Sequence, residues 1–274
     1  MVDPQTAPDP DAGSSPVTTR APEVALLLRG LTKRFGDTTA VDRLDLDVPR
    51  GSFYGLVGPN GAGKTTTLSM ATGLLRPDAG TAHVLGVDVW DDPVAAKAQI
   101  GILPDGLRLF DRLTGQQLVT YAGLLRGMDR ELVAGRTAEL LAALGLTDAG
   151  DKLVIDYSAG MTKKITLACA LVHAPRLLVL DEPFEAVDPV SARTIRGILE
   201  DFAANGGTVV LSSHVMDLVE RICTDVAIIA AGVVRAAGPL DEVRAGASLE
   251  DRFLDLVGGR TTVEGLAWLR TSSD

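Results

Sequence analysis

The run Gly58-Pro-Asn-Gly-Ala-Gly-Lys-Thr-Thr66 constrains the fold of this chain more than any other part of its sequence. A short apolar stretch, Ser52–Val57, comes directly before it, and the apolar segment Leu68–Leu75 after it predicts a helix. A glycine-rich loop between a strand and a helix is typical of α/β proteins that bind phosphate. Glycines let the backbone approach closely, and the N–H groups at the helix start attract anions. The pair Arg76-Pro77 is expected to end the helix.

Each residue of this run is a candidate ligand of a nucleotide. The ammonium of Lys64 can bind the β- and γ-phosphates, the hydroxyl of Thr65 can bind Mg²⁺, and Thr66 can contact the α-phosphate. A glycine-rich turn without a ligand is the alternative. The predicted contact residues are Gly58, Pro59, Asn60, Gly61, Ala62, Gly63, Lys64, Thr65 and Thr66.

Two adjacent carboxylates follow a second predicted strand, Leu177–Leu180. In an open α/β fold this strand delivers Asp181 and Glu182 to the carboxyl edge of the sheet, where such folds bind ligands. Adjacent carboxylates repel each other unless a cation or a reaction requires them, and Asp181 suits a water-mediated contact to Mg²⁺. The alternative is a pair of solvated acids before Pro183.

Two further polar elements are predicted near a phosphate site. His214 follows the predicted strand Thr208–Leu211 and should therefore lie near the same sheet edge. Ser158 is a good N-cap for a predicted helix over Ala159–His173, whose first N–H groups favour an anion. A capped helix without any ligand explains Ser158 equally well. His83 and His173 have no such context and are expected to be structural.

Composition limits the classes of function. The net charge of −10 disfavours a nucleic-acid partner, because an acidic surface repels phosphate backbones. The longest apolar run, from Val226 to Val234, has nine residues, far fewer than the ~20 of a membrane-spanning helix. Cys169 and Cys223 lack metal-site spacing and are expected to be buried thiols in a reducing compartment. No secretory signal is recognised, so a cytoplasmic protein is expected.

The sequence also predicts an order of parts. Proline and aspartate in the first residues indicate a disordered tail, whereas helix periodicity over Leu113–Arg126 and Arg130–Leu144, with caps at Gly127 and Gly145, indicates a helical insert. Predicted strands lie over Val24–Leu28, Leu44–Val48, Asp225–Ala230 and Val233–Ala237. The predicted parts are the tail over 1–22, a phosphate-binding α/β domain over 23–243 with the insert over about 91–156, and a helical extension over 244–274.

Four elements in their order resemble the ATP-binding cassette (ABC) family, the ATPases of membrane transporters. They are the glycine-rich run, Tyr157-Ser-Ala-Gly-Met161, Leu177-Leu-Val-Leu-Asp-Glu-Pro183 and Ser212-Ser-His214. The resemblance covers about 24–243. It implies an α/β fold with a P-loop NTPase (RecA-like) core, an antiparallel β-subdomain and an inserted α-helical subdomain. It also implies ATP and Mg²⁺ as cofactors.

The resemblance implies roles for individual residues. Lys64, Glu182 and His214 are the implied catalytic residues: Glu182 polarises the attacking water, and His214 hydrogen-bonds the γ-phosphate. Phe35 is implied to stack on adenine, although an aromatic residue before Gly36 could equally anchor a hairpin in the core.

The resemblance also implies partners. Ser158 and Gly160 of the signature motif are implied to contact ATP bound to an opposite subunit, with Asp188 at the same interface. We expect a second ABC ATPase subunit, as a homodimer, and a polytopic membrane permease that holds this chain at the inner face of the cell membrane. Leu113-Thr-Gly115 and the tail Ser248–Phe253 resemble exporters. The alternatives are a soluble ABC ATPase and a slow regulatory cassette.

The sequence departs from the family at two loops. After Ile100-Gly-Ile-Leu-Pro104 the family usually has glutamine, but this chain has Asp105. A carboxylate there can still meet the metal, so the implied metal contacts are Thr65, Asp105 and Asp181, and slower or more tightly gated hydrolysis is expected. The loop Phe184–Asp188 also lacks the usual small polar residue and glycine.

Overall fold

The computed structural model describes residues 23–106 and 109–258 of the chain. The predicted tail over 1–22 and the end of the predicted extension, over 259–274, lie outside the described residues. In the part that is described, two β-sheets and the helices between them form an α/β arrangement.

The larger sheet has six strands in the order β10-β9-β3-β8-β7-β6. Neighbouring strands run parallel, except that β10 is antiparallel to β9. Continuous apolar runs suit this sheet because its strands are covered on both faces. The strands are β3 (Phe53–Val57), β6 (Ile100–Leu103), β7 (Leu177–Leu180), β8 (Thr208–Ser213), β9 (Asp225–Ala230) and β10 (Val233–Pro239).

The smaller sheet is antiparallel, with the order β2-β1-β4-β5. In the strand Thr38–Pro49, the side chains of Leu44, Leu46 and Val48 are buried and those of Asp45 and Asp47 are exposed. This pattern confirms the predicted alternation. This sheet is the predicted antiparallel β-subdomain. Its strands are β1 (Val24–Phe35), β2 (Thr38–Pro49), β4 (Ala79–Val84) and β5 (Val87–Asp88).

Most helices begin at side-chain caps. Thr114 forms a capping box with Gln117, and Asp188 accepts hydrogen bonds from two N–H groups of the helix after it. Gly127 and Gly145 follow two helix ends with positive φ angles, which confirms the predicted stops. The helices are α1 (Lys64–Ala71), α2 (Pro93–Ala98), α3 (Gly115–Leu125), α4 (Arg130–Ala143), α5 (Ala159–Leu171), α6 (Pro189–Ala204), α7 (Met216–Ile222), α8 (Leu240–Arg244) and α9 (Leu249–Val257).

Two sequence predictions need correction. The helix predicted over Leu68–Leu75 lies over Lys64–Ala71, because Gly73 takes a φ of 73° and the N–H groups after it bond back to Ser69. The range 91–156 is not helical throughout, since Ile100–Leu103 within it pairs with β7 in the larger sheet. An apolar tetrapeptide of this kind is buried in the sheet core, where strand pairing satisfies its backbone.

The hydrophobic core lies on both faces of the larger sheet as two clusters. Along β3, Phe53 and Val57 belong to one cluster, whereas Tyr54 and Leu56 belong to the other. This alternation follows from the period of two along a strand. Among the described residues, no helix has the length and apolarity to cross a membrane.

Candidate functional site

The functional side chains lie at one edge of the larger sheet. Because β3, β6, β7 and β8 run parallel, their carboxyl ends meet there. The glycine-rich loop leaves β3, Asp181 and Glu182 leave β7, and His214 leaves β8. The sheet topology therefore brings together segments that are up to about 150 residues apart in the chain.

A cavity of about 430 Å³ opens at this edge. Most of its lining residues are predicted site residues, whereas Ala40 and Glu185 were missed. Nothing in the local sequence indicates that Ala40 lines a cavity. Glu185 could have been proposed as a lining residue only because it lies three residues after Glu182. The lining residues are Phe35, Ala40, Asn60, Gly61, Ala62, Gly63, Lys64, Thr65, Thr66, Asp105, Glu182, Glu185 and His214.

Two positions of the glycine-rich loop require glycine, because the backbone of other segments packs closely against them. A Cβ on Gly58 would lie 2.2 Å from the carbonyl oxygen of Ile229, and one on Gly63 would lie 2.5 Å from that of Ala40. Gly63 also has a φ of 102°, which other residues rarely adopt. The loop therefore keeps a cradle of backbone around the start of α1, which suits phosphate oxygens.

Lys64 is held at the cavity by the loop itself. Its side chain is 6% exposed, and its Nζ donates to the carbonyl oxygens of Gly58 (2.8 Å) and Pro59 (3.3 Å). The same Nζ lies 3.7 Å from Oε1 of Glu182. A buried ammonium held in this way is oriented before any anion binds.

The two carboxylates are joined by Ser212. Its hydroxyl donates to Oδ1 of Asp181 and accepts the backbone N–H of Glu182 (2.9 Å). Oε1 of Glu182 lies 3.1 Å from Nδ1 of His214. Glu182 also has a φ of 46°, a strained conformation of the kind that clusters at functional sites.

Some predicted residues lie away from this cavity. Asp181 is buried behind it, beside Ser212. Ser158 and Gly160 are not among the described residues that line it. Ser158 caps α5 by accepting the N–H of Met161, as predicted, and a Cβ on Gly160 would lie 2.7 Å from Oδ2 of Asp188.

The helix starts of α5 and α6 are thus in close contact. Asp188 accepts the N–H groups of Val190 and Ser191, both at 3.0 Å. The backbone N–H and hydroxyl of Ser191 hold the pKa of this exposed carboxyl below its ordinary value. Asp188 is therefore a fixed negative charge next to Gly160.

Phe35 does not anchor a hairpin in the core, so that alternative is wrong. Its side chain is 52% exposed and lines the cavity, and it belongs to neither core cluster. Nζ of Lys33 lies 5.7 Å from the ring centroid. One edge of the cavity therefore offers an accessible aromatic face.

The remaining titratable candidates are structural. Nε2 of His173 lies 3.0 Å from the carbonyl oxygen of Ile100, and burial lowers the pKa of this imidazole to about 4. His83 lies 3.5 Å from Asp88. Burial raises the pKa of the Cys169 thiol to about 12 and also raises that of Cys223, so both remain protonated.

The sequence model of the family described as ABC transporter matches residues 41–185 of this chain. The chain belongs to the ABC transporter family. It is 39% identical to the daunorubicin/doxorubicin resistance ATP-binding protein DrrA of Streptomyces peucetius, over 81% of this chain and 68% of that protein. It is 35% identical to the linearmycin resistance ATP-binding protein LnrL of Bacillus subtilis, over 78% of this chain and 68% of that protein.

Solved structures show the same fold. An ATP-binding subunit of an ABC transporter superimposes with a TM-score of 0.79 at 28% identity, covering 85% of this chain and 99% of that one. A nucleotide-free ABC cassette superimposes with a TM-score of 0.72 at 22% identity, over 88% of this chain and 98% of that one. The predicted P-loop NTPase fold and ATPase activity are confirmed. These relatives do not favour an ABC ATPase that works without a permease.

Proposed function

We propose that this ABC ATPase hydrolyses MgATP in the cavity at the sheet edge and drives export by a separate membrane permease. The observation that carries the proposal is the convergence of Lys64, Glu182 and His214 on one cavity whose floor is the glycine-rich loop. A buried ammonium and an imidazole that both contact one strained carboxylate suit the hydrolysis of a triphosphate.

The residues divide the chemistry between them. Lys64 and the N–H groups of the loop bind the phosphates, and Glu182 orients the attacking water. His214, through its contact with Oε1, holds the side chain of Glu182 in one direction. The backbone of Glu182 is fixed by Ser212.

Mg²⁺ fits the donors present. The described residues contain no cluster of three or more His, Cys, Asp or Glu side chains that could enclose a metal. Mg²⁺ usually binds one or two carboxylates together with substrate phosphates and water. Thr65 and Asp181, with Asp105 as a further candidate, would hold it, and bound Mg²⁺ would neutralise charge on the phosphates.

Phe35 supplies the adenine contact in this proposal. Replacing Phe35 with Ala is expected to raise the dissociation constant for ATP about 5- to 150-fold, since stacking on an aromatic ring contributes ~1–3 kcal/mol per base. Calorimetry with ATP measures the change, and a Phe35→Tyr variant should retain most of the affinity. The melting temperature should hardly move, because the ring is half exposed. Equal affinity of the wild type and the Ala variant would contradict the assignment.

A second subunit completes the site. Ser158 and Gly160 lie away from their own cavity, at the start of α5, where free N–H groups favour an anion. We infer that they bind the γ-phosphate of ATP held by another cassette, with this chain as a homodimer. Asp188, ordered next to Gly160, belongs to the same interface.

The permease binds a groove on α3. This groove of about 530 Å³ combines apolar side chains with polar ones. The lining residues are Leu113, Tyr121, Leu124, Thr114, Gln116, Gln117, Thr120 and Asp151. The rings of Phe110 and Tyr121 stack edge to face at 5.6 Å, and both are exposed. Apolar residues lining a groove suit a helix of a partner protein, here a cytoplasmic helix of the permease. The cassette then lies at the inner face of the cell membrane.

The relatives favour drugs and antibiotics as cargo. Two of them are resistance proteins for daunorubicin/doxorubicin and for linearmycin, and a third, 35% identical over 86% of this chain and 71% of that protein, is the Nod factor export ATP-binding protein I of Ralstonia nicotianae. We infer that the transported molecule is an antibiotic, another drug or a lipid-like compound that moves outward.

Purification of the chain together with its permease tests the proposed role in export. The full chain isolated from its native membranes should carry along one polytopic membrane protein, and drugs of the resistance class should stimulate the ATPase of the complex. Tyr121→Asp should abolish that association but retain ATP affinity, whereas Val94→Asp, at an equally apolar exposed site on α2, should not. An active ATPase that never associates with a membrane protein would favour the soluble alternative.

A further inference from the structure

Lys163 connects helix α5 with Asp105 and with Glu182. It lies on α5, five residues after Ser158. Its Nζ donates to the backbone carbonyl oxygen of Glu182 at 2.9 Å and lies 3.6 Å from Oδ1 of Asp105. The Lys163 side chain is only 18% exposed. One ammonium therefore ties α5 to the ends of β6 and β7.

The contact with Glu182 acts at a strained turn. The carbonyl oxygen that accepts from Lys163 also accepts the N–H of Glu185 at 3.2 Å. The N–H of Glu182 donates to Ser212, so both sides of this residue are held while its φ is 46°. A left-handed conformation in a residue other than glycine persists only where its surroundings impose it. Lys163 is one of the groups that impose it.

Asp105 supplies the counter-charge. A neutral glutamine at this position would not attract an ammonium as strongly as the carboxylate does. Here Asp105 lines the nucleotide cavity and also a second cavity of about 400 Å³, which Lys163 borders together with Glu185 and Ala186. That space leaves room for the ammonium to move relative to the turn.

We propose that Lys163 is a positioning residue that couples the start of α5 to the hydrolytic carboxylate of the same subunit. A shift of α5, as when Ser158 and Gly160 bind a phosphate of the other subunit, is transmitted through Nζ to the carbonyl of Glu182. Asp105 keeps the ammonium directed toward that carbonyl. This coupling rests on the proposed function for the reaction it controls, but the contact itself can be tested without nucleotide.

The first test separates binding from turnover. Lys163→Met in the purified full chain should lower kcat about 10-fold or more, because a hydrogen bond from a charged group is stronger than one between neutral groups and its loss releases the turn that carries Glu182. KM and the dissociation constant for ATP should change less than about twofold, since Lys163 does not touch the nucleotide cavity. Lys163→Arg should recover most of the rate. Lys97→Met, at an exposed lysine of α2, is the matched control.

The role of Asp105 is tested by a double-mutant cycle. If Asp105 acts through Lys163, Asp105→Asn should add little to the loss of kcat already caused by Lys163→Met. Independent, multiplying losses would show that Asp105 acts apart from Lys163, as a contact to Mg²⁺ would, and would overturn that part of the proposal.

The second test does not depend on catalysis. Without nucleotide, hydrogen exchange at the amide of Glu185 should be about fivefold or more faster in Lys163→Met than in wild type or Lys97→Met. Unchanged exchange overturns the inference, and faster exchange with unchanged kcat overturns the coupling. If the wild-type chain has no turnover even with its permease, the proposed function fails, and the exchange data alone decide whether Lys163 holds the turn.

Discussion

Replacing Glu182 with Gln lowers the turnover of ATP by about 100-fold or more and leaves the affinity for ATP nearly unchanged, since loss of one group that orients the reacting water typically has such an effect. The amide keeps the size of the side chain and its contact with His214, but it cannot accept a proton from water. It also removes the negative charge 3.7 Å from Lys64. ATP that binds without being hydrolysed should therefore accumulate in a closed dimer.

Three measurements check this result. Steady-state kinetics gives kcat, calorimetry gives the dissociation constant for ATP, and light scattering with saturating ATP gives the mass of the complex. Glu200→Gln is the control, because Glu200 makes an exposed ion pair with Arg196 on α6. Wild-type turnover in Glu182→Gln would remove this residue from its role. A monomer at saturating ATP, with no other cassette able to complete the site, would refute the shared site.

Replacing Lys64 with Ala weakens the binding of ATP itself by about 30-fold or more, because truncating one partner of a buried charged pair costs ~2–5 kcal/mol. The ammonium is 6% exposed and is aimed at the cavity by two carbonyl oxygens, so water cannot replace it as a phosphate ligand. The effect should appear in the dissociation constant and not only in kcat, in contrast to Glu182→Gln.

Calorimetry with ATP distinguishes the two variants. Lys97→Ala serves as the control for loss of a lysine, and thermal unfolding shows whether Lys64→Ala still folds, since Gly58 and Pro59 lose a donor. A folded Lys64→Ala chain with wild-type affinity for ATP would contradict the phosphate-loop assignment.

Much of the fold follows from local pattern. The strand predicted over Leu177–Leu180 has those bounds in the structure, because a short apolar run can be satisfied only inside a sheet. The helix after the glycine-rich loop was misplaced by four residues, since polar Lys64 and Thr65 conceal a helix start that Gly63 fixes through its backbone. The strand Ile100–Leu103 was missed within the insert, because four residues carry too little periodicity.

The candidate site was predictable where its chemistry is local. The glycine-rich loop, the acidic pair and His214 each follow a strand, so their position at one sheet edge could be predicted from the pattern. The roles of Glu182 and His214 came from the family resemblance. The contact of Ser212 with the acidic pair could have been found only from register: Leu180 pairs with Leu211, which puts Asp181 next to Ser212. No local pattern gives that pairing.

The sequence by itself determined that this chain is a phosphate-binding α/β protein, because a strand, a glycine-rich loop and a helix are adjacent along the chain and need no distant partner to be recognised. The ATPase activity came from the resemblance of four such elements to the ABC family. Only the tertiary structure decided which side chains hold Glu182 in place. Ser212 and Lys163 reach Glu182 from elements that are 30 and 19 residues away in sequence. Such contacts depend on sheet register and helix packing, which the whole core sets together.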